Sequence, residues 1–303
     1  MDDATLSAKA RTLGSLLEPV TGQVYFSPEC HAEYVALGFG PSPGEANGVA
    51  LPDGPAYFTS RGSVMGQVAG EVIAAAFAVF NPAVVVPCVQ LGWTLTDATT
   101  ICAARDRGAI GQLRRILGDE PEGLARVTAI LQRMVEPLRP EGRPLFAGLR
   151  SQGLPADPIG AMWRLGDMFR EYRGDSHTAS WISAGFDATE IGLVSELYWG
   201  LPPRSYSRTR SWTTAEFDAA TERLRQRGLL DEAGGALTGA GRELREEVEV
   251  ATDRQMRAAI GAGGEELDEL FGLLAPWGAD VRAAGGYLAS GPHDLAKAAS
   301  GRG

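Results

Sequence analysis

Apolar and polar positions along this chain alternate with a helical period of about 3.6 far more often than with a period of two, so the sequence reads as mainly helical. A first helix is expected over residues 4–17. Ser27-Pro28-Glu29 is an N-cap followed by proline at the first helical position, and it opens a helix over 28–37 that Gly38 ends. Gly40–Pro55 is rich in glycine and proline and reads as a loop. A long apolar helix is predicted from Ser63 to Phe80, with Glu71 as its one charge. Gly62, Gly66 and Gly70 recur every four residues and point to close approach by another helix or by a ligand. Helices over 95–117 and 121–138 follow, and prolines 140, 144, 155 and 158 punctuate a connector that places a boundary near residue 150.

Asp157-Pro158 opens the next helix, which runs to about Ala184, and Asp187 caps another over 188–199. A short helix is expected over Pro202–Arg210, then a turn at Ser211–Thr214 and a helix to Arg227, with Phe217, Ala220 and Leu224 in helical register. Leu229-Leu230 and Ala236-Leu237 read as a hairpin around Asp231–Gly235, and Thr238 caps a final helix from Ala240 to about Ile260. The expected fold is mainly α: an N-terminal helical domain over 1–150, a C-terminal winged-helix domain with a small β-hairpin over 151–290, and a flexible tail over 291–303.

Two sets of residues carry a resemblance. The run Glu222-Arg-Leu-Arg-Gln-Arg-Gly-Leu-Leu230, followed by Ala236-Leu-Thr-Gly-Ala-Gly241, resembles the MarR-type winged-helix family. Tyr57-Phe58 with Arg61, Asn81-Pro82 and Arg170-Glu-Tyr-Arg-Gly-Asp-Ser-His177 resemble an actinobacterial family of helix-turn-helix-like proteins, over nearly the full length. This likeness implies a fold more than a function.

Charge alters that picture. The 303 residues carry 38 acidic against 28 basic side chains, a net charge of −10, whereas DNA binders rely on basic patches that neutralise phosphates. In a helix-turn-helix the first turns of the second helix enter the major groove. Here those turns hold Thr213, Thr214, Glu216, Phe217, Asp218 and Thr221, and the hairpin tip holds Asp231 and Glu232. None can form the paired contacts of arginine with guanine or asparagine with adenine. Arg204, Arg208 and Arg210, with Thr214, are the residues left to touch DNA, which is therefore a disfavoured partner.

Candidate chemistry lies upstream. Asp167, Arg170, Gly174, His177 and Trp181 fall on one helix face, a polar stripe where a core-facing helix would be apolar. With Arg173 and Asp175 beside it, this stripe suits a small organic molecule bearing a carboxylate or carbonyl. The alternative is a charge network along the helix, with Asp167 by Arg170 and Glu171 by Asp175. Glu71 on its apolar helix is expected to be buried and paired with Arg61 or with an arginine of the 170–173 pair, a setting that would perturb its pKa. Glu71 and His177 are the candidate acid–base pair. Arg61, Arg170, Arg173, Asp175, Tyr57 and Trp181 are the candidate ligand contacts.

His31 with Glu29, facing His177 with Asp175, would be needed for a metal site, and no metal or cofactor is assigned. His293 near the tail is expected to be exposed. The three cysteines, Cys30, Cys88 and Cys102, form no C-x-x-C pair and fit a reducing cytoplasm, and neither a signal peptide nor a membrane span is expected. The resulting reading is a small-molecule-binding protein on a winged-helix scaffold with reduced or absent DNA binding, as a monomer or homodimer. The alternatives are a ligand-responsive DNA-binding regulator and an enzyme of specialised metabolism.

Overall fold

The computed structural model describes residues 1–288; the tail over 291–303 and His293 lie outside the described residues. In chain order the helices are α1 (Asp3–Gly22), α2 (Pro28–Ala36), α3 (Gly54–Gly62), α4 (Gly70–Ala76), α5 (Pro82–Leu95), α6 (Ala98–Leu117) and α7 (Leu124–Val135). They continue with α8 (Pro144–Ser151), α9 (Pro158–Ser183), α10 (Ala188–Tyr198), α11 (Thr214–Gln226), α12 (Gly239–Gln255), α13 (Arg257–Gly263) and α14 (Leu267–Ala283). The chain is mainly helical. Its named strands, Glu45–Ala46 (β1) and Val49–Ala50 (β2), pair antiparallel within the stretch expected to be a loop. Asn47 and Gly48 form their turn at φ of 53° and 77°, the left-handed pair that an Asn-Gly hairpin turn requires.

Local capping explains most helix starts. Ser27, Asp157 and Thr238 each accept a backbone N–H three residues on. Asp187 and Thr213 go further and form capping boxes with Glu190 and Glu216.

The expected long helix from Ser63 to Phe80 is broken. It becomes a 3₁₀ turn over Ser63–Met65 directly after α3, Gly66 at φ 86°, and α4. The glycines therefore do not form one stripe. A side chain at Gly62 would strike Ile73, and one at Gly70 would meet the Val86 backbone, so both serve close packing between segments. The break also relocates Glu71. It stands exposed in the first turn of α4, so the expectation of a buried, paired carboxylate is corrected. Two further differences are local. The connector near residue 145 contains α8, and Pro202–Arg210 is helical only over Ser207–Arg210, as a 3₁₀ turn.

Two hydrophobic cores result. The larger draws on α1 to α9, then on α13 and α14, with Trp163, Phe146 and Phe169 at its centre. The smaller joins Trp181, Ile191, Val194, Phe217, Leu224, Leu230 and Val248 around α10, α11 and α12. Between α11 and α12 the hairpin is reduced to a single bridge, Leu230 with Leu237. The helix α9 spans both cores: Phe169 and Tyr172 belong to the first, Trp181 to the second.

Candidate functional site

Polar residues of α9 do not face one pocket. They reach out to different helices, so the stripe inferred from spacing splits into separate clusters. Asp167 accepts from Arg105 of α6 at 2.9 Å, and both side chains are buried. Glu171 is gripped by Arg61 of α3 through two parallel bonds of 3.0 and 2.8 Å. Arg170 bonds Glu171 at 2.9 Å, the Tyr25 hydroxyl at 3.1 Å and Glu18 of α1. Tyr57 accepts from Arg61 at 3.3 Å, and Tyr287 donates to Glu18 at 2.7 Å. Burial opposes ionisation of Glu171, yet Arg61 and Arg170 hold its carboxyl down at about 2.

This first cluster reaches toward the smaller core. The Tyr57 ring lies 5.8 Å from Phe80, and the Arg210 guanidinium sits 4.5 Å over Phe80 and 4.6 Å over Tyr206. Burial raises the Tyr206 pKa, and Arg210, Glu18, Tyr57 and Arg170 are the charged or polar groups that act on it.

A second cluster forms one turn further along α9. Arg173 bonds Glu249 at 3.0 Å and Asp253 at 2.9 Å, both on α12. Asp253 also takes Arg11 at 2.7 Å, and Glu249 takes Arg245 at 2.6 Å. Half-buried His177 contacts the Thr252 hydroxyl at 3.2 Å through Nδ1. Burial works against the Glu249 charge, but Arg245, Arg173 and His177 hold its carboxyl well below the usual range. Arg173 and His177 thus share a site, whereas Arg61 and Tyr57 belong to the other cluster and Glu71 to neither.

Asp175 takes a different role. It accepts the Phe146 backbone N–H at 3.1 Å, which places it at the N-terminus of α8. Burial and the neighbouring Glu171 raise its pKa to about 7, so Glu171 and Asp175 repel instead of pairing. Trp181 is buried in the smaller core rather than lining an open site. The charge network expected along the helix is instead mainly a network between helices, because its side chains reach partners on α1, α3, α6, α8 and α12.

The two-histidine arrangement does not form. His31 bonds the Tyr25 carbonyl at 3.2 Å, Glu29 pairs with Arg115, and no three His, Cys, Asp or Glu side chains converge as metal ligands among the described residues. Surface hollows among the described residues include one around Phe186, Glu190 and Arg223 and one around Arg133, Arg139 and Arg150. Neither is lined by Tyr57, Arg61, Arg170 or His177.

The segment expected from the sequence to hold the turn and start of a recognition helix meets the link between α4 and α5 directly. The Asn81 backbone N–H donates to the Arg210 carbonyl at 2.9 Å. The Asn81 side chain donates to the Ser211 carbonyl at 3.1 Å and to Glu216 at 3.4 Å. The Trp212 indole donates to the Val79 carbonyl at 2.9 Å. Among the basic residues, Arg204 pairs with Asp218, Arg223 with Asp187 and Glu190, and Arg227 with Glu190. Arg208 and Thr214 are exposed, whereas Phe217 is buried and unavailable to a groove.

Comparison places the chain. A family model described as the helix-turn-helix family matches residues 10–288. The protein belongs to this helix-turn-helix family. No curated protein and no solved structure matches it. No helix among the described residues is long and apolar enough to cross a membrane.

Sequence reasoning overlooked Glu18, Tyr25, Tyr206 and α12 as parts of these clusters, and paired Glu171 with Asp175 instead of Arg61. The one available signal was Glu171, inside a motif already singled out. The acidic face of α12 looks like ordinary solvated surface until α1 and α9 are placed against it.

Proposed function

We propose that the protein is a regulator-type helix-turn-helix protein that binds DNA through α10, α11 and the short hairpin. Family membership over residues 10–288 carries this reading. Support comes from the element order of α10, α11, bridge and α12, the order expected from the sequence for a winged helix. The capping box at Thr213 gives α11 the defined start a recognition helix needs. DNA affinity is modest on this account, because most arginines around α11 are already neutralised by carboxylates, leaving Arg208 as an exposed cation beside its start. Electrophoretic retention of fragments of the source genome by the full chain tests the proposal. Selective retention supports it, and no retention at low salt refutes it.

A small organic acid as effector is the second reading, and one observation favours it. Among the described residues Arg210 makes no ion pair; it stacks on Phe80 and Tyr206 and donates to the Tyr206 hydroxyl, next to the cluster of Tyr57, Arg61 and Arg170. A carboxylate bound there would act on Phe80, the residue before Asn81. Melting curves with a panel of mono- and dicarboxylates test it: a raised midpoint lost in Arg210→Ala supports the site, and no shift across the panel removes it. The enzymatic reading grouped Glu71 with His177 and Arg61; Glu71 is exposed on α4, Arg61 bonds Glu171 and His177 contacts Thr252, and no specific observation favours that reading.

A further inference from the structure

Most arginines of this protein are met by a carboxylate, in the core and on the surface alike. Arg139, Arg143 and Arg150 make no ion pair among the described residues, and they fall together, on the connector from α7 and on α8. Over 124–151 the chain carries Arg126, Arg133, Arg139, Arg143 and Arg150 against Glu136 and Glu141. The balance of this segment is thus opposite in sign to the net charge of −10.

Neutral groups hold two of these side chains in place. Arg143 donates to the Ser176 hydroxyl at 3.1 Å, to Gln255 at 2.6 Å and to the Glu141 carbonyl at 2.8 Å, with its guanidinium 4.3 Å over the Tyr172 ring. Arg150 donates to the Leu138 carbonyl at 2.7 Å and lies 5.9 Å from the Phe146 ring centre. Such partners fix a guanidinium without cancelling its charge. Part of the cost of ordering a side chain around a ligand is then met before any ligand arrives.

Arg139 and Arg150 are exposed and line one hollow, whose walls include Leu138, Pro140 and Ala262. Arg133 lines it too, but Glu266 already engages that side chain. Glu136 is the carboxylate on the rim and opposes an anion. The unneutralised Arg139 and Arg150 outweigh it, so the hollow is net positive. A guanidinium presents its N–H groups as a planar fork that fits an oxyanion. A single carboxylate occupies one fork, whereas a phosphate group has oxygens for several and carries close to two charges at neutral pH.

We propose that this hollow binds the phosphate group of a small phosphate ester, with Arg139 and Arg150 as its direct contacts. The inference goes beyond the regulator reading and does not rest on it. It also differs in place and ligand from the carboxylate reading at Arg210.

Isothermal titration of the full chain with inorganic phosphate and with glycerol phosphate, at low ionic strength, tests the site. Acetate serves as the singly charged control. The expected result is saturable phosphate binding that weakens as salt is added, with acetate about tenfold weaker. Arg139→Ala and Arg150→Ala should each weaken phosphate binding about tenfold, and Glu136→Gln should tighten it about threefold. Circular dichroism checks folding. Arg139 is exposed and its side chain makes no hydrogen bond among the described residues, so Arg139→Ala decides the matter should Arg150→Ala, which loses the Leu138 contact, fail to fold.

Absence of saturable binding overturns the proposal. So does binding that Arg139→Ala leaves unchanged, because the anion is then held elsewhere, and so does acetate binding equal to that of phosphate. Duplex DNA affinity that falls in Arg139→Ala, with neither free phosphate bound, assigns the corner to the DNA backbone and overturns the free ligand. Phosphate binding lost in Arg139→Ala upholds the site whether or not the chain retains DNA, so this inference and the regulator reading fail separately.

Discussion

Arg61 and Glu171 are 110 residues apart in the chain and meet in a two-pronged ion pair, Nε to Oε1 at 3.0 Å and Nη2 to Oε2 at 2.8 Å. Glu171 is almost fully buried, so its charge depends on its arginine partners. Arg61→Ala removes one of those partners and should lower stability by about 3–5 kcal/mol, read from denaturant midpoints. The double change Arg61→Met with Glu171→Leu should recover most of that loss, because it buries no unpaired charge. A wild-type-like midpoint for Arg61→Ala alone would contradict this account.

The same pair sets an acid dependence. The folded Glu171 carboxyl ionises near 2, below its ordinary value of 4.5. Its stabilisation is present above 4.5 and is lost as pH falls toward 2. Glu171→Gln should therefore unfold at lower denaturant than the wild type near neutrality, and the gap should narrow with acid. A constant gap across that window would show that the charge is not what matters.

Asp175 works in the opposite sense. Its folded pKa is raised to about 7 from 3.8, so the folded state holds a proton that the unfolded state releases. This contribution is present in full below 3.8 and is lost as pH rises through 7. At about 1.4 kcal/mol per pKa unit, the loss is on the order of 4–5 kcal/mol. Asp175→Asn keeps an acceptor for the Phe146 N–H and cannot ionise. It should be more stable than the wild type at alkaline pH, with the difference shrinking as pH falls and closing only below 3.8. Equal midpoints at alkaline pH would sink the assignment.

Gly241 ends the motif that suggested a winged helix, and its place shows why a side chain is excluded. A Cβ there would lie 2.1 Å from the Leu229 carbonyl oxygen, which also accepts from Thr238 to close the hairpin. Gly239, two residues earlier, has open space around it. Gly241→Ala should cost about 1–3 kcal/mol, while Gly239→Ala should be neutral or stabilising by a few tenths to about 1 kcal/mol. Thermal melts of the pair check this, and equal shifts for both would contradict it.

Features with local causes were legible in the sequence. The starts at Ser27, Asp157, Thr213 and Thr238 follow from capping groups that act within three residues, and all four helices form there. The error over 63–80 is also local in origin. A uniformly apolar run has no period to show a break, and Gly66 reads as a tolerated helical residue until its φ is known. The Asn47-Gly48 hairpin was signalled by its dipeptide but lay in a stretch dominated by prolines and other glycines. The clusters were not legible because they depend on which helices meet. Spacing placed Arg170, Arg173 and His177 near one face, but only packing gives Arg170 to α1 and Arg173 to α12. The motifs Asn81-Pro82 and Ser211-Trp212 were both visible, and nothing in either suggests the other.

The most direct measurement is the salt dependence of DNA affinity for the full chain, with Arg208→Ala beside it, on a fragment it retains. The account predicts binding that weakens as salt rises, with a shallow slope because few cations are free, and a slope reduced by about one in Arg208→Ala. Absence of binding at low salt, or binding indifferent to salt, would contradict the assignment of this helix-turn-helix to DNA.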